Sequence, residues 1–318
     1  MDKKTRTLNA LRGLPVDRPP MTFWTNFTGD QEMGQGCIDA HLALYRDTDE
    51  DFVKMTADGY MYLPDCESFR VMSDWAHLKL PKMTDFYVVD QLNRIKAVRE
   101  GIHDETYVFY NMFNALTLMN FSTSDDFVMA CIRDRNPDFL AAYDAITDWA
   151  AEFASRMITE AGCKGVFHCI MNGEKDRFTP EEYAEWVRPR DLRVIEATNQ
   201  VSDANIIHLC GGSGRANDMS KWKDYPAAVM NWDIHVDSLS LADGKSFFPR
   251  AHTVMGGFSN KPDGLLCTGT REEIQKYTRD LVQQVGRDRF ILAPDCSVPN
   301  TLDHQRMRWV AEALDSLI

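Results

Sequence analysis

A histidine and two cysteines stand where side chains distant in sequence could share one divalent cation. His208 and Cys210 lie in Ile206-Ile207-His208-Leu209-Cys210-Gly211-Gly212, and Cys296 lies in Leu292-Ala293-Pro294-Asp295-Cys296. Each stretch begins as a short apolar run of strand type, so all three donors are expected at strand C-terminal ends. One imidazole and two thiolates form a borderline-soft set suited to Zn²⁺. Three protein ligands with a fourth position left for substrate mark a catalytic zinc site, whereas a structural site closes with four ligands and tight Cys pairs. No tight pair occurs in this chain. The competing reading makes His208 a core histidine and both cysteines small apolar fillers.

Two carboxylates are placed to support such a centre. Asp233, in Asn231-Trp232-Asp233-Ile234-His235, ends the next strand candidate and could be a fourth ligand or an acceptor that orients His208. Glu174, with Asp176 nearby in Asn172-Gly173-Glu174-Lys175-Asp176, could bind substrate or move protons. A turn cap and a solvated loop are the respective alternatives. Gly211-Gly212-Ser213-Gly214 resembles a phosphate cradle, but it fits neither nucleotide-loop pattern; the glycines are read instead as letting backbone pass close to the centre. Trp24, Phe113 and Phe258 fall at strand ends and could line an apolar pocket for a flat or methyl-bearing ligand.

The elements that must hold these residues alternate. Strands are expected at Met21–Trp24, Tyr60–Leu63, Tyr107–Asn111, Gly165–Ile170, Ala204–His208, Ala227–Trp232, His252–Met255 and Phe290–Ala293. Amphipathic helices separate the later ones. One spans Pro137–Ala161, with apolar residues at three- and four-residue spacing. Another starts from Thr270 with Glu273 as a capping box and stops at Gly286; a third runs from Thr301 to Leu317. Strand, turn and helix in repetition predict a parallel sheet, and eight strands predict a (β/α)8 TIM barrel formed by residues 1–318 as a single domain. Asp65–Pro81 lacks periodicity and reads as an excursion or short hairpin near the barrel mouth.

Composition narrows the function classes. With 44% hydrophobic and 26% charged residues the chain can bury a large core. Asp and Glu outnumber Lys and Arg by 48 to 35, a net charge of −13 that disfavours nucleic acid and anionic membrane as partners. No apolar leader or membrane-length run is seen, so a cytoplasmic protein is expected, with its eight cysteines reduced. Cys37, Cys66, Cys131, Cys163, Cys169 and Cys267 are read as filler. Oligomeric state is left open.

The landmarks together resemble the uroporphyrinogen decarboxylase superfamily. Leu8-Asn9-Ala10-Leu11-Arg12-Gly13 with Val16-Asp17-Arg18-Pro19-Pro20 is similar to its opening helix and strand. Thr179-Pro180-Glu181-Glu182-Tyr183, Met255-Gly256-Gly257-Phe258 and Leu266 to Ile274 are similar to later landmarks. His208-Leu209-Cys210 with Cys296 resembles the H-x-C…C motif of the branch of zinc-dependent methyltransferases that work with corrinoid proteins. The segment Thr22 to Asp30 lacks the arginines with which decarboxylases grip a tetrapyrrole. The resemblance implies methyl transfer between a small molecule (a thiol, a methyl ether or another methyl donor) and cobalamin carried by a separate corrinoid protein, since no D-x-H-x-x-G segment is found here. A metal-free decarboxylase of the uroporphyrinogen type and a non-catalytic subunit that binds a corrinoid protein are the alternatives.

Overall fold

Seven runs rich in Val, Ile, Phe and Met form strands that pair in sequence order, every pair parallel: β1 Val53–Met55, β2 Val108–Phe113, β3 Gly165–Ile170, β4 Ile206–Leu209, β5 Ala227–Trp232, β6 Ala251–Phe258 and β7 Phe290–Pro294. The structure is a computed structural model and describes residues 1–211 and 214–318. Parallel neighbours need long crossovers, and the helices between strands supply them. The resulting α/β fold is TIM-barrel-like.

Alternation along each strand sorts side chains to two faces. Phe109, Phe167, Ile206, Val229, Met255, Ile291 and Ala293 meet in one cluster inside the curled sheet. Their neighbours Tyr110, Val166, Ile207, Met230 and Leu292 belong to the larger cluster under the helices. Continuing the inner face toward the strand ends brings Asn111 and Phe113 on β2, Cys169 on β3, His208 on β4 and Asn231 on β5 to the same side. The register pairs Phe113 with Cys169, Cys169 with His208, and His208 with Asn231. The floor of the curled sheet is thus apolar, and its rim is polar and sulfur-bearing.

The expected eight strands become seven in the described residues. Met21–Trp24 forms no ladder; the segment makes isolated parallel bridges, Met21 to Leu292 and Thr25 to Val298, and Met21 accepts from the Asp51 amide at 2.8 Å. The preceding Pro19-Pro20 has no N–H to give a ladder. Tyr60–Leu63 is a set of turns, bracketed by Gly59 at φ 78° and Pro64. The strand lies earlier, at β1, where a buried lysine interrupts the apolar pattern that sequence reading relies on. Asp65–Pro81 carries two short 3-10 turns, Cys66–Ser68 and Met72–His77.

Helix ends follow their local chemistry. Asn136 accepts from the Phe139 amide and caps Pro137–Thr159, a helix that packs on Arg188–Asn199. Thr270 and Glu273 form the expected capping box of Arg271–Val285, with Gly286 beyond it. The last helix starts at His304, after the Asp303 cap, and not at Thr301. Below the sheet, fully buried Asp51 receives Arg6 at 2.6 Å, Arg18 at 2.7 Å and the Met21 amide at 2.8 Å. No described helix is long and apolar enough to cross a membrane.

Candidate metal centre

His208 ends up buried, at 2% exposure, with its ring against Trp24 and Phe167. Its Nδ1 lies 2.5 Å from Asn231 Oδ1. The Asn231 amide nitrogen donates to Met255 O at 3.0 Å, which leaves Oδ1 as the atom facing the imidazole. Nδ1 must therefore carry the proton, and Nε2 is left with the lone pair a metal needs. Asn231 was missed in the sequence, where Asp233 two residues on drew attention. The available signal was one amide in the otherwise apolar, fully buried run Ala227–Trp232.

Cys210 follows β4, and its amide donates to Ile170 O at 2.9 Å, which continues the β3 to β4 pairing by one residue. Cys296 follows β7. The two sulfurs lie 3.9 Å apart. Two thiolates on one tetrahedral zinc, each at about 2.3 Å, would be separated by about 3.8 Å. Its neighbour Cys210 and its burial push the Cys296 thiol up, against the opposing pull of His208. Of the three donors named from sequence, the two sulfurs are therefore at a zinc-sharing distance and His208 lines the same cavity as both; a nitrogen and two sulfurs are a donor set that fits zinc.

Cys169, read as filler, stands in the group of mutually close donors with His208 and Cys210, a group that does not include Cys296. Its sulfur, the Cys210 sulfur and a His208 ring nitrogen all lie within 4.8 Å of one another. These residues share a cavity of about 380 Å³ at the C-terminal ends of the strands. Its apolar wall includes Trp24, Met61, Phe113, Phe121 and Met171; its polar wall includes Asn26, Lys54, Thr56, Asp58, Asn111, Asn260 and Ser297. Trp24 and Phe113 line it as expected. Phe258 does not; it is fully buried and packs on Phe23 and Tyr277.

Lys54 is the cavity residue that sequence reading could least have found. It is 4% exposed, and its Nζ sits over the rings of Phe167 at 4.7 Å and Trp24 at 5.2 Å. Burial lowers its pKa to about 8, against the pull of nearby thiols, Cys169 foremost, and of Asp58. Asp58 itself is anchored by the Phe27 amide at 2.8 Å and the Thr56 hydroxyl at 2.6 Å, with burial raising its pKa.

The two carboxylates named from sequence lie elsewhere. Asp233 accepts from the amides of His235 and Val236, each at 3.1 Å, which is the turn-capping arrangement. With His235 and Asp295 it forms a second group of close donors, in which His235 Nδ1 is 2.5 Å from Asp295 Oδ2. Glu174 is buried, bridges by its backbone to Asn217, and is held between Arg215 at 3.5 Å and Arg177 at 4.0 Å. Asp176 is an exposed partner of Arg215. None of these three lines the cavity. Of the glycine run, Gly212 and Ser213 lie outside the described residues. A Cβ on Gly211 would come within 3.2 Å of Asp233, so the close approach there is to the residue that caps the turn after β5 and not to the sulfurs.

A family model described as "Uroporphyrinogen decarboxylase (URO-D)" matches residues 53–317. Among solved structures, the chain is similar to a methyltransferase from Methanosarcina mazei, with 20% identity, 99% of each chain covered and a TM-score of 0.75. It is also similar to a B12-independent methionine synthase from Shewanella sp. W3-18-1, with 13% identity, 95% of this chain and 94% of that one covered and a TM-score of 0.56. A putative vitamin-B12 independent methionine synthase from Listeria monocytogenes gives 13% identity, coverage of 88% and 86%, and a TM-score of 0.57. At such identities these likenesses concern the fold. No curated protein matches the sequence.

Proposed function

The chain belongs to the uroporphyrinogen decarboxylase family, and within it we propose a zinc-dependent methyltransferase that moves a methyl group between a small molecule and a corrinoid protein. The observation that carries this reading is the convergence of His208, Cys210 and Cys296 on one cavity at the strand ends. The methyltransferase among the similar structures is in keeping with it.

Zinc held by these residues would supply Lewis acidity, keeping a thiol ionised at neutral pH or neutralising the oxygen that departs from a methyl ether. The protein's own groups do the rest. Asn231 fixes the imidazole tautomer and ring direction through its bond to His208. Trp24, Phe113, Phe121 and Met171 shape an apolar space for a methyl-bearing group and keep water from it. Lys54 provides positive charge beside the sulfurs. His208 and Lys54 are the only basic side chains among the described lining residues, and no arginine stands among these to clamp the carboxylates of a porphyrinogen. Asp233 and Glu174 act at a remove, Asp233 by shaping the turn after β5 and Glu174 by anchoring Arg177 and Arg215. The cobalamin would be delivered by a separate corrinoid protein docked over the barrel mouth, in a cytoplasmic setting.

The test uses free cobalamins as probes under anaerobic conditions. Zinc-loaded protein is mixed with methylcobalamin and 2-mercaptoethanol, and separately with cob(I)alamin and anisole, and the cobalamin spectrum is followed. Conversion in either direction that is lost in Cys210→Ser supports the proposal. Conversion equal in wild type, Cys210→Ser and protein-free controls overturns it.

A further inference from the structure

Cys169 does not behave as filler. Cys66, Cys131 and Cys163 sit within the hydrophobic cluster beneath the helices; Cys169 belongs to neither apolar cluster and lines the cavity instead. It is register-paired with His208 on the neighbouring strand, so both side chains stand on the inner face at the same height. The backbone bond from Cys210 to Ile170 holds the ends of β3 and β4 together, which fixes the Cys169 and Cys210 sulfurs relative to each other.

We propose that Cys169 is a fourth, displaceable ligand of the centre made by His208, Cys210 and Cys296. The proposal rests on the metal-centre reading above and adds to it what fills the position before substrate arrives. The Cys169 and Cys210 sulfurs and a His208 nitrogen lie within 4.8 Å of one another, and Cys296 lies 3.9 Å from Cys210, so three sulfurs and one nitrogen would saturate a resting zinc site. A substrate thiol would take the place of Cys169 and pass its proton to the departing sulfur, so one thiolate and one thiol are present before and after; a neutral oxygen donor would leave Cys169 as a thiolate, with Lys54 lining the same cavity as its counter-ion. The arrangement keeps a reactive open position from forming until a suitable ligand is present.

The test is X-ray absorption at the zinc edge on the intact zinc-loaded protein, with cobalt(II) substitution as a second readout. Three sulfur scatterers per zinc in wild type, two in Cys169→Ser, and a thiolate-to-cobalt absorption reduced by about one third in Cys169→Ser at unchanged metal stoichiometry are expected, as for a change from three thiolates to two. Two sulfurs per zinc in wild type overturn the proposal while leaving the centre intact, and need no variant to fold. A wild type that takes up neither zinc nor cobalt sinks the metal-centre reading itself.

Discussion

Asn231 Oδ1 lies 2.5 Å from His208 Nδ1, across the pairing of β4 with β5, and its amide is held in that orientation by Met255 O. This bond sets which imidazole nitrogen can meet a metal. Asn231→Ala is expected to weaken zinc affinity by about 10- to 100-fold, the usual cost of losing the partner that orients a ligand histidine. Asn231→Asp keeps an acceptor and should retain most of it. Competition against a chromogenic chelator reads both.

Among the described residues no carboxylate is in salt-bridge range of Lys54, which is held by two aromatic faces. Its burial costs the charged form, as the fall of its pKa to about 8 reflects. Lys54→Met is expected to stabilise the fold by on the order of 1 kcal/mol while impairing turnover, because the charge is kept for the site and not for the core. Thermal melts and the cobalamin assay check the two halves.

Asp51 ties the segment before β1 to the opening helix through Arg6, Arg18 and the Met21 amide. Asp51→Asn takes from each buried guanidinium one of its two carboxylate partners, Arg6 keeping Asp17 and Arg18 keeping Asp315. A loss of about 1–3 kcal/mol in urea unfolding is expected.

Much of this arrangement was legible in the residues. Alternating strand and helix signals located β2 to β7 to within a few residues, because strands buried on both faces announce themselves as apolar runs. β1 escaped since Lys54 occupies the centre of a three-residue strand, and Tyr60–Leu63 offered a more apolar but turn-bound substitute. His208, Cys210 and Cys296 carried a spacing that could be read. Cys169, Asn231 and Lys54 did not, since their roles come from register between strands, which a single sequence does not display. Asp233 was singled out for its position at a strand end, yet that position faces the turn it caps.

Glu50 offers a pH test of the packing. It is 1% exposed, and burial lifts its pKa from an ordinary 4.5 to about 8 despite bonds from the Phe23 amide and Thr22 hydroxyl. The folded state thus holds a proton that the unfolded chain releases between those values, so stability falls as pH rises from 4.5 to 8. In Glu50→Gln this group's share of the slope should be absent. Urea midpoints taken every half unit of pH compare the two.

Elemental analysis of purified protein reaches the metal centre most directly. About one zinc per chain in wild type, lost in Cys210→Ala and in Cys296→Ala with the far-ultraviolet dichroism unchanged, is the expected result for a single site with these sulfurs as ligands. Wild type without zinc after reconstitution, or both variants holding it as tightly as wild type, would contradict it.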